Sequence, residues 1–318
     1  MTMTTAHRDA RSAFFAEGPE SAPRPDLSVR IGDLTLTNPV MPASGCFGPE
    51  LGRLIPVTEL GALVTKTVFA EPRGGNPAHR LTEIRAGMVN SVGIPSEGPR
   101  GYLRHLHPDY LEFGVPVVVS VGGHRTTEYA RIIEEMSGAG DAYELNVSCP
   151  NLDSEGTDIG ADPRAIDQAV ARARAVTQRP LIVKLPAMTS SIATCARAAE
   201  AAGADAVCVS NSVPVLALGP SGQPELGNIV GGLSGTAIRP IVSRLVWLAA
   251  RAVRIPVIAC GGIESASDAM DYFSLGASAV QVGTANFARP WAMVAISREL
   301  ASLAPTMRAT QSPQGEDR

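Results

Sequence analysis

Hydrophobic residues along this chain fall into short, nearly continuous runs, each closed by small, polar or turn-forming residues. The runs are Pro39–Ala43, Ala62–Thr65, Val117–Val119, Ala142–Leu145, Leu181–Leu185, Ala206–Val209, Val257–Ala259 and Ala279–Val282. Amphipathic helical spacing alternates with them, near 50–60, 98–112, 126–138, 162–177, 190–202, 236–253, 264–275 and 290–303. Strands that are apolar along their whole length and alternate with helices belong to a parallel sheet covered on both sides. Eight such units predict an α/β fold of the (β/α)8 TIM-barrel type, a single domain over 27–304. An open doubly wound sheet is the competing architecture, but its glycine fingerprint after the first strand is missing. Residues 1–26 and 305–318 carry charges, prolines and small residues without a periodic apolar face, and read as a disordered arm and tail.

Three connections are too long for plain βα turns: Glu71 to Pro99, Asn151 to Pro163 and Val213 to Thr236. Each follows a strand, so each lies on the C-terminal face, where barrel enzymes build their sites.

Composition removes several function classes. A net charge of -4 with mixed signs gives no electrostatic footprint for nucleic acid, and 4% aromatics leaves little for base stacking. The five cysteines (Cys46, Cys149, Cys195, Cys208, Cys260) form no C-x-x-C pair, which argues against a disulfide framework, a zinc site or a cysteine-held cluster. There is no 18-residue apolar run for a membrane span and no apolar core of a signal peptide near the start. The expected compartment is the cytoplasm.

Chemistry gathers where the strands end. Ser44-Gly45, Lys66-Thr67, Ser120, Asn146, Lys184, Ser210-Asn211, Gly261-Gly262 and Gly283-Thr284 follow the eight runs in order. A barrel serving only its own stability has no use for such a rim. Gly261-Gly262 and Gly283-Thr284 close strands seven and eight, where barrels commonly hold phosphate, and Gly231-Gly232-Leu233-Ser234-Gly235 offers further backbone amides. Lys66 and Lys184 end apolar strands, as two fixed positive charges facing an anionic cofactor or substrate or as snorkelling surface lysines. Densest of all is Leu145-Asn146-Val147-Ser148-Cys149-Pro150-Asn151, which presents two amides, a hydroxyl and a thiol at a strand's end. That set suits a small polar ring, with Cys149 placed to move a proton; the plainer reading is a turn with an inert thiol.

These segments together resemble class 1 dihydroorotate dehydrogenases, and the NAD-linked (1B) catalytic subunit most closely. The resemblance runs from about Leu34 to Leu303 and rests on Asn38 to Gly45, Val64 to Val68, Asn90 to Ile94, Asn146 to Asn151, Ile182 to Leu185, Gly231 to Gly235 and Ala279 to Phe287. It implies FMN at the barrel mouth, with Gly235, Gly261, Gly262, Gly283 and Thr284 on its phosphate. Ser44, Lys66, Thr67, Ser120, Asn146 and Ser210 would contact or order the rest, and Lys184 would stand near the N1/O2 edge. It places the substrate carboxylate at Lys66 and the Asn90, Val92, Gly93, Ile94 loop, and the ring amides at Asn90, Asn146, Asn151, Asn211 and Ser212. The implied reaction oxidises (S)-dihydroorotate to orotate in pyrimidine synthesis, with hydride to FMN N5 and the C5 proton to Cys149. A homodimer is implied, with electrons leaving either through a partner subunit carrying FAD and a [2Fe–2S] cluster or directly to fumarate, quinone or oxygen.

The pattern departs from the family at four places: Ser120, Ser96 and His124 stand where asparagine is usual, and Val213-Pro214-Val215-Leu216 replaces a glycine-containing stretch. Groups shifted in a hydrogen-bonding pocket retune selectivity. An alternative is therefore the same flavin chemistry on another dihydropyrimidine-like ring. A tRNA dihydrouridine synthase would need a basic RNA surface, and a non-catalytic remnant would not need Cys149, Lys66 and Asn146.

Overall fold

The computed structural model describes residues 26–148, 159–189 and 191–310, with side chains as far as Leu303. All eight expected strands form: β1 (Val40–Pro42), β2 (Leu63–Val64), β3 (Val117–Gly122), β4 (Ala142–Asn146), β5 (Leu181–Leu185), β6 (Ala206–Val209), β7 (Val257–Cys260) and β8 (Ala279–Val282). They pair in parallel in the order β1-β8-β7-β6-β5-β4-β3-β2. A backbone bond from Gly61 N–H to Val40 O, 2.8 Å, draws the two ends together. This is the (β/α)8 barrel.

Each strand sorts its side chains by period two. On β5, Leu181, Val183 and Leu185 join the layer between strands and helices, whereas Ile182 joins the barrel interior with Met41, Val64, Val118, Ala142, Ala206, Ile258 and Ala279. A hairpin, Val29–Ile31 with Leu34–Leu36, plugs the N-terminal end of this interior with Ile31 and Leu36. Burying each such side chain contributes about 1.5–3 kcal/mol. The lower barrel is therefore a sealed apolar plug, and chemistry is left to the upper layer.

Helices Thr126–Glu135, Pro163–Val176, Ile192–Ala201, Arg239–Ala250, Ala266–Ser274 and Ala292–Thr310 follow the apolar spacing, the last running past residue 304. Two stretches differ from the sequence reading. Positions 50–60 hold one α-turn, Pro49–Gly52, and a 3-10 turn, Val57–Glu59, because Pro56 has no N–H to continue a helix. Over 98–112 the helix widens into a π-turn at Tyr102–Leu106, just ahead of Pro108, whose missing N–H breaks the α ladder. The long connections after β2 and β6 are also more than loops. They supply Leu81–Ile84, Gly87–Asn90, Val213–Leu216 and Val230–Ser234, a four-stranded antiparallel sheet.

Candidate active site

The ends of β1, β2 and β4 through β8 enclose a cavity of about 360 Å³, roofed by residues of the antiparallel sheet. Of the residues singled out from the sequence, Ser44, Lys66, Thr67, Asn90, Val92, Ile94, Asn146, Lys184, Ser210, Asn211, Ser212, Gly235, Gly261, Gly262, Gly283 and Thr284 line it. Ser120 and Gly93 do not line it. Ser120 is fully buried behind the wall, its hydroxyl 3.1 Å from Ser44 Oγ and 2.9 Å from Thr67 Oγ1. Gly93 holds the loop's turn at φ +73°, and any side chain there would strike Asn76. Cys149 and Asn151 lie outside the described residues.

The polar wall is built from strand ends. Ser44, Thr67 and Ser120 form a hydroxyl triangle, closed by a 3.0 Å contact between Ser44 and Thr67. Asn146 Nδ2 donates to Thr67 Oγ1 at 3.0 Å, which fixes the amide at the end of β4. Asn211 Nδ2 donates to both the carbonyl and the hydroxyl of Ser148 at 3.0 Å, and Asn90 Nδ2 to Gly232 O at 3.3 Å. Side chains locked this way present their remaining groups at fixed positions, as ring recognition requires.

At the β7 and β8 ends the backbone comes close. Gly262 sits at φ +71°, and a Cβ there would lie 2.7 Å from Arg239 Cβ. Gly261 sits at φ +135° with Ile238 and Val242 3.0 Å from where its Cβ would be. Conformation and space both demand glycine, which leaves bare backbone facing the cavity, the arrangement that receives a phosphate. Beside it, Thr284 Oγ1 donates to Ser234 Oγ at 2.8 Å.

Lysine occurs at only two positions in this chain, 66 and 184, and both line the cavity; every other Lys/Arg position is arginine. This count is a sequence signal that the strand-end reading used only in part. The Lys66 side chain makes no ion pair or hydrogen bond among the described residues, and burial, with Arg80 adding to it, lowers its pKa from the ordinary lysine value. A half-buried cation without a partner awaits an anion. Lys184 is its opposite: 3% exposed, its Nζ donates to Gln281 Oε1 at 2.9 Å and lies 3.9 Å from Glu144 Oε1. Burial works against its charge, but the acidic groups around it, Cys260, Glu144, Cys208 and Cys46, which are negative when ionised, together outweigh burial and raise its pKa.

The strand-end reading overlooked several liners, among them Leu81, Met88, Ile238 and Glu264. Leu81 and Met88 come from the antiparallel sheet inside a stretch that read as loop. Cys46 and Cys260 also line the cavity, with burial pushing the Cys46 thiol up to about 12, whereas Cys195 and Cys208 are buried core residues.

A family model described as dihydroorotate dehydrogenase matches residues 26–304. The chain belongs to the dihydroorotate dehydrogenase family. Members of this flavin-dependent family oxidise dihydroorotate to orotate, at a CH–CH bond, in pyrimidine biosynthesis. Similar proteins named as the catalytic subunit of dihydroorotate dehydrogenase B (NAD(+)) include that of Trichlorobacter lovleyi, 42% identical over 84% of this chain and 90% of that protein. Another is that of Desulforudis audaxviator, 42% identical over 86% of this chain and 91% of that protein. Among solved structures, a dihydroorotate dehydrogenase of Eimeria tenella in complex with ferulenol superposes with a TM-score of 0.74 over 96% of this chain and 92% of that one; at 21% identity this likeness concerns the fold. The NAD-linked subclass read from the motifs thus agrees with the names of these dehydrogenase relatives. Among the described residues no helix is long and apolar enough to cross a membrane.

Proposed function

We propose that this cavity binds FMN and dihydroorotate face to face, and that the chain is the catalytic subunit of an NAD-linked dihydroorotate dehydrogenase. The observation that carries the reading is the pairing of the two lysines with a glycine cradle around one cavity. FMN, when bound, supplies the acceptor for the hydride leaving C6 of the substrate. Gly235, Gly261, Gly262, Gly283 and Thr284 hold its phosphate; Ser44, Thr67, Asn146 and Ser210 hold its ring system, with Ser120 bracing Ser44 and Thr67 from behind. Lys184 sets a positive charge beside the N1/O2 edge, where charge accumulates on reduction.

Lys66 binds the substrate carboxylate together with backbone of the Asn90, Val92, Gly93 and Ile94 loop. Asn90, Asn146, Asn151, Asn211 and Ser212 bind the ring amides. Cys149 takes the C5 proton from the ring face opposite the flavin: it follows β4 by three residues, and a thiol with a pKa of about 8.5 is a usable base near neutrality. A homodimer in the cytoplasm and a partner subunit with FAD and a [2Fe–2S] cluster complete the proposal, the partner passing electrons on to NAD. The test is spectroscopic. The purified protein should be yellow with one FMN per chain, and orotate should perturb the flavin spectrum of the wild type at concentrations about 10- to 100-fold lower than in Lys66→Met. A colourless protein that refuses added FMN would overturn the reading.

A further inference from the structure

Three polar residues lie inside the barrel just below the cavity floor, on the inward faces of otherwise apolar strands. Glu144 of β4 and Gln281 of β8 are fully buried, and Lys184 of β5 is nearly so. The amide of Gln281 joins the two charges: Oε1 accepts from Lys184 Nζ at 2.9 Å, and Nε2 donates to Glu144 Oε2 at 2.5 Å. Cys208 Sγ–H also donates to Gln281 Oε1, at 3.3 Å, which excludes the flipped amide, because a flip would turn NH2 onto two donors. Among the described residues Glu144 Oε1 has no hydrogen-bond partner, and it lies 3.9 Å from the ammonium. A carboxylate this deep is costly unless a cation compensates it, and a buried ammonium is costly for the same reason. Each charge therefore holds the other in place.

We infer that Glu144, acting through Gln281, is a positioning residue that keeps Lys184 charged and its Nζ fixed at the cavity floor. The titratable groups facing Lys184 are Glu144, Cys46, Cys208 and Cys260, one from each neighbouring element, and Gln281 is the neutral link. Of these, Glu144 brings a carboxylate, whereas a thiol contributes charge only as thiolate, and Cys260, lowered to about 7 by its contact with Cys208, is the thiol best able to do so. Gln281 determines where Nζ points, and Glu144 makes it favourable for Nζ to stay protonated. The inference rests on the proposed flavin site for its purpose but not for its measurement.

With two lysines in the chain, selective 13Cε-lysine labelling gives two side-chain signals, and Lys184→Met assigns them. In the wild type the Lys184 signal should show no titration up to about pH 10.5, while Lys66 titrates below the ordinary lysine value. In Glu144→Gln, burial is left opposed only by the thiols, and the Lys184 midpoint should fall by at least about one pH unit, a tenfold change in proton affinity. Gln281→Met keeps the carboxylate but cuts the link, and should lower the midpoint less while broadening or shifting the signal. Cys260→Ala should move it less than Glu144→Gln does. An ordinary lysine titration of Lys184 in the wild type overturns the inference without any variant having to fold. So does a midpoint unchanged by Glu144→Gln, or one that follows Cys260 instead. A protein that fails to take up FMN counts against the proposed function alone, because the lysine signals are read with or without flavin.

Discussion

Replacing Gly262 by alanine tests the phosphate cradle at its tightest point. The residue sits at φ +71°, where a Cβ costs about 1–2 kcal/mol in backbone strain. The new Cβ would stand 2.7 Å from Arg239 Cβ and 3.0 Å from Arg239 Cα, well inside the usual carbon contact of about 3.5–4.0 Å. Arg239 cannot easily retreat. It begins helix Arg239–Ala250 and pairs with Asp268, whose Oδ2 in turn accepts from Ser265 Oγ and the backbone N–H groups of Glu264 and Ser265 at the start of the next helix. Overpacking of this kind adds about 1–3 kcal/mol. Some of the total, about 2–5 kcal/mol, will lower the melting temperature, and the rest will displace the backbone that faces the cavity. The assay titrates apoprotein with FMN and, separately, with riboflavin, following flavin fluorescence. The variant should bind FMN about 10- to 100-fold more weakly and riboflavin nearly as before, so that the preference for the phosphorylated ligand shrinks. Equal losses for both flavins would show that the cradle does not hold phosphate, and unchanged FMN affinity would remove Gly262 from the site.

Two other substitutions separate binding from chemistry. Lys66→Met should weaken orotate binding about 10- to 100-fold, the loss expected for a charge-assisted hydrogen bond, and should raise the melting temperature, because the charged form of a lysine whose folded pKa is lowered opposes folding. By the same linkage the folded wild type binds fewer protons at Lys66 than the unfolded chain, so stability gained from this site rises as pH climbs through its lowered pKa; the Lys66→Met variant should lose that part of the pH dependence in thermal melts. Cys149→Ala should retain FMN and orotate binding and lose nearly all turnover. Cys149→Ser should be nearly inactive near neutrality and recover activity at high pH, and steady-state rates matching the wild type in either variant would exclude Cys149 as the base.

The barrel was legible because each strand is a nearly continuous apolar run of the right length, and tertiary pairing only had to arrange eight of them. The rim was legible for a related reason: polar or glycine residues directly follow the runs, and parallel strands bring all those ends to one face. Glu144 and Gln281 were overlooked because they sit inside runs whose apolar neighbours dominate the pattern. Yet both share the inward parity of Lys184: Ala142, Glu144 and Asn146 alternate on β4, and Ala279 and Gln281 on β8, as Ile182 and Lys184 do on β5. Period two applied within each strand would have set a carboxylate, an amide and an ammonium in one layer. The antiparallel sheet over the cavity was hidden by Gly231, Gly232 and Pro214, which read as loop: Pro214 pairs with Gly232 inside one connection, and Gly232 pairs with Asn90 more than a hundred residues away. Ser120 read as a position that contacts the flavin or orders the site, and its short side chain stops behind Ser44 and Thr67, hydrogen-bonded to both.

The most direct test mixes the FMN-loaded protein with dihydroorotate in the absence of oxygen and follows flavin absorbance near 450 nm on the stopped-flow timescale. The account predicts rapid bleaching, one orotate formed per flavin, with the flavin staying reduced until an electron acceptor is added. A flavin that dithionite reduces but dihydroorotate does not would contradict it.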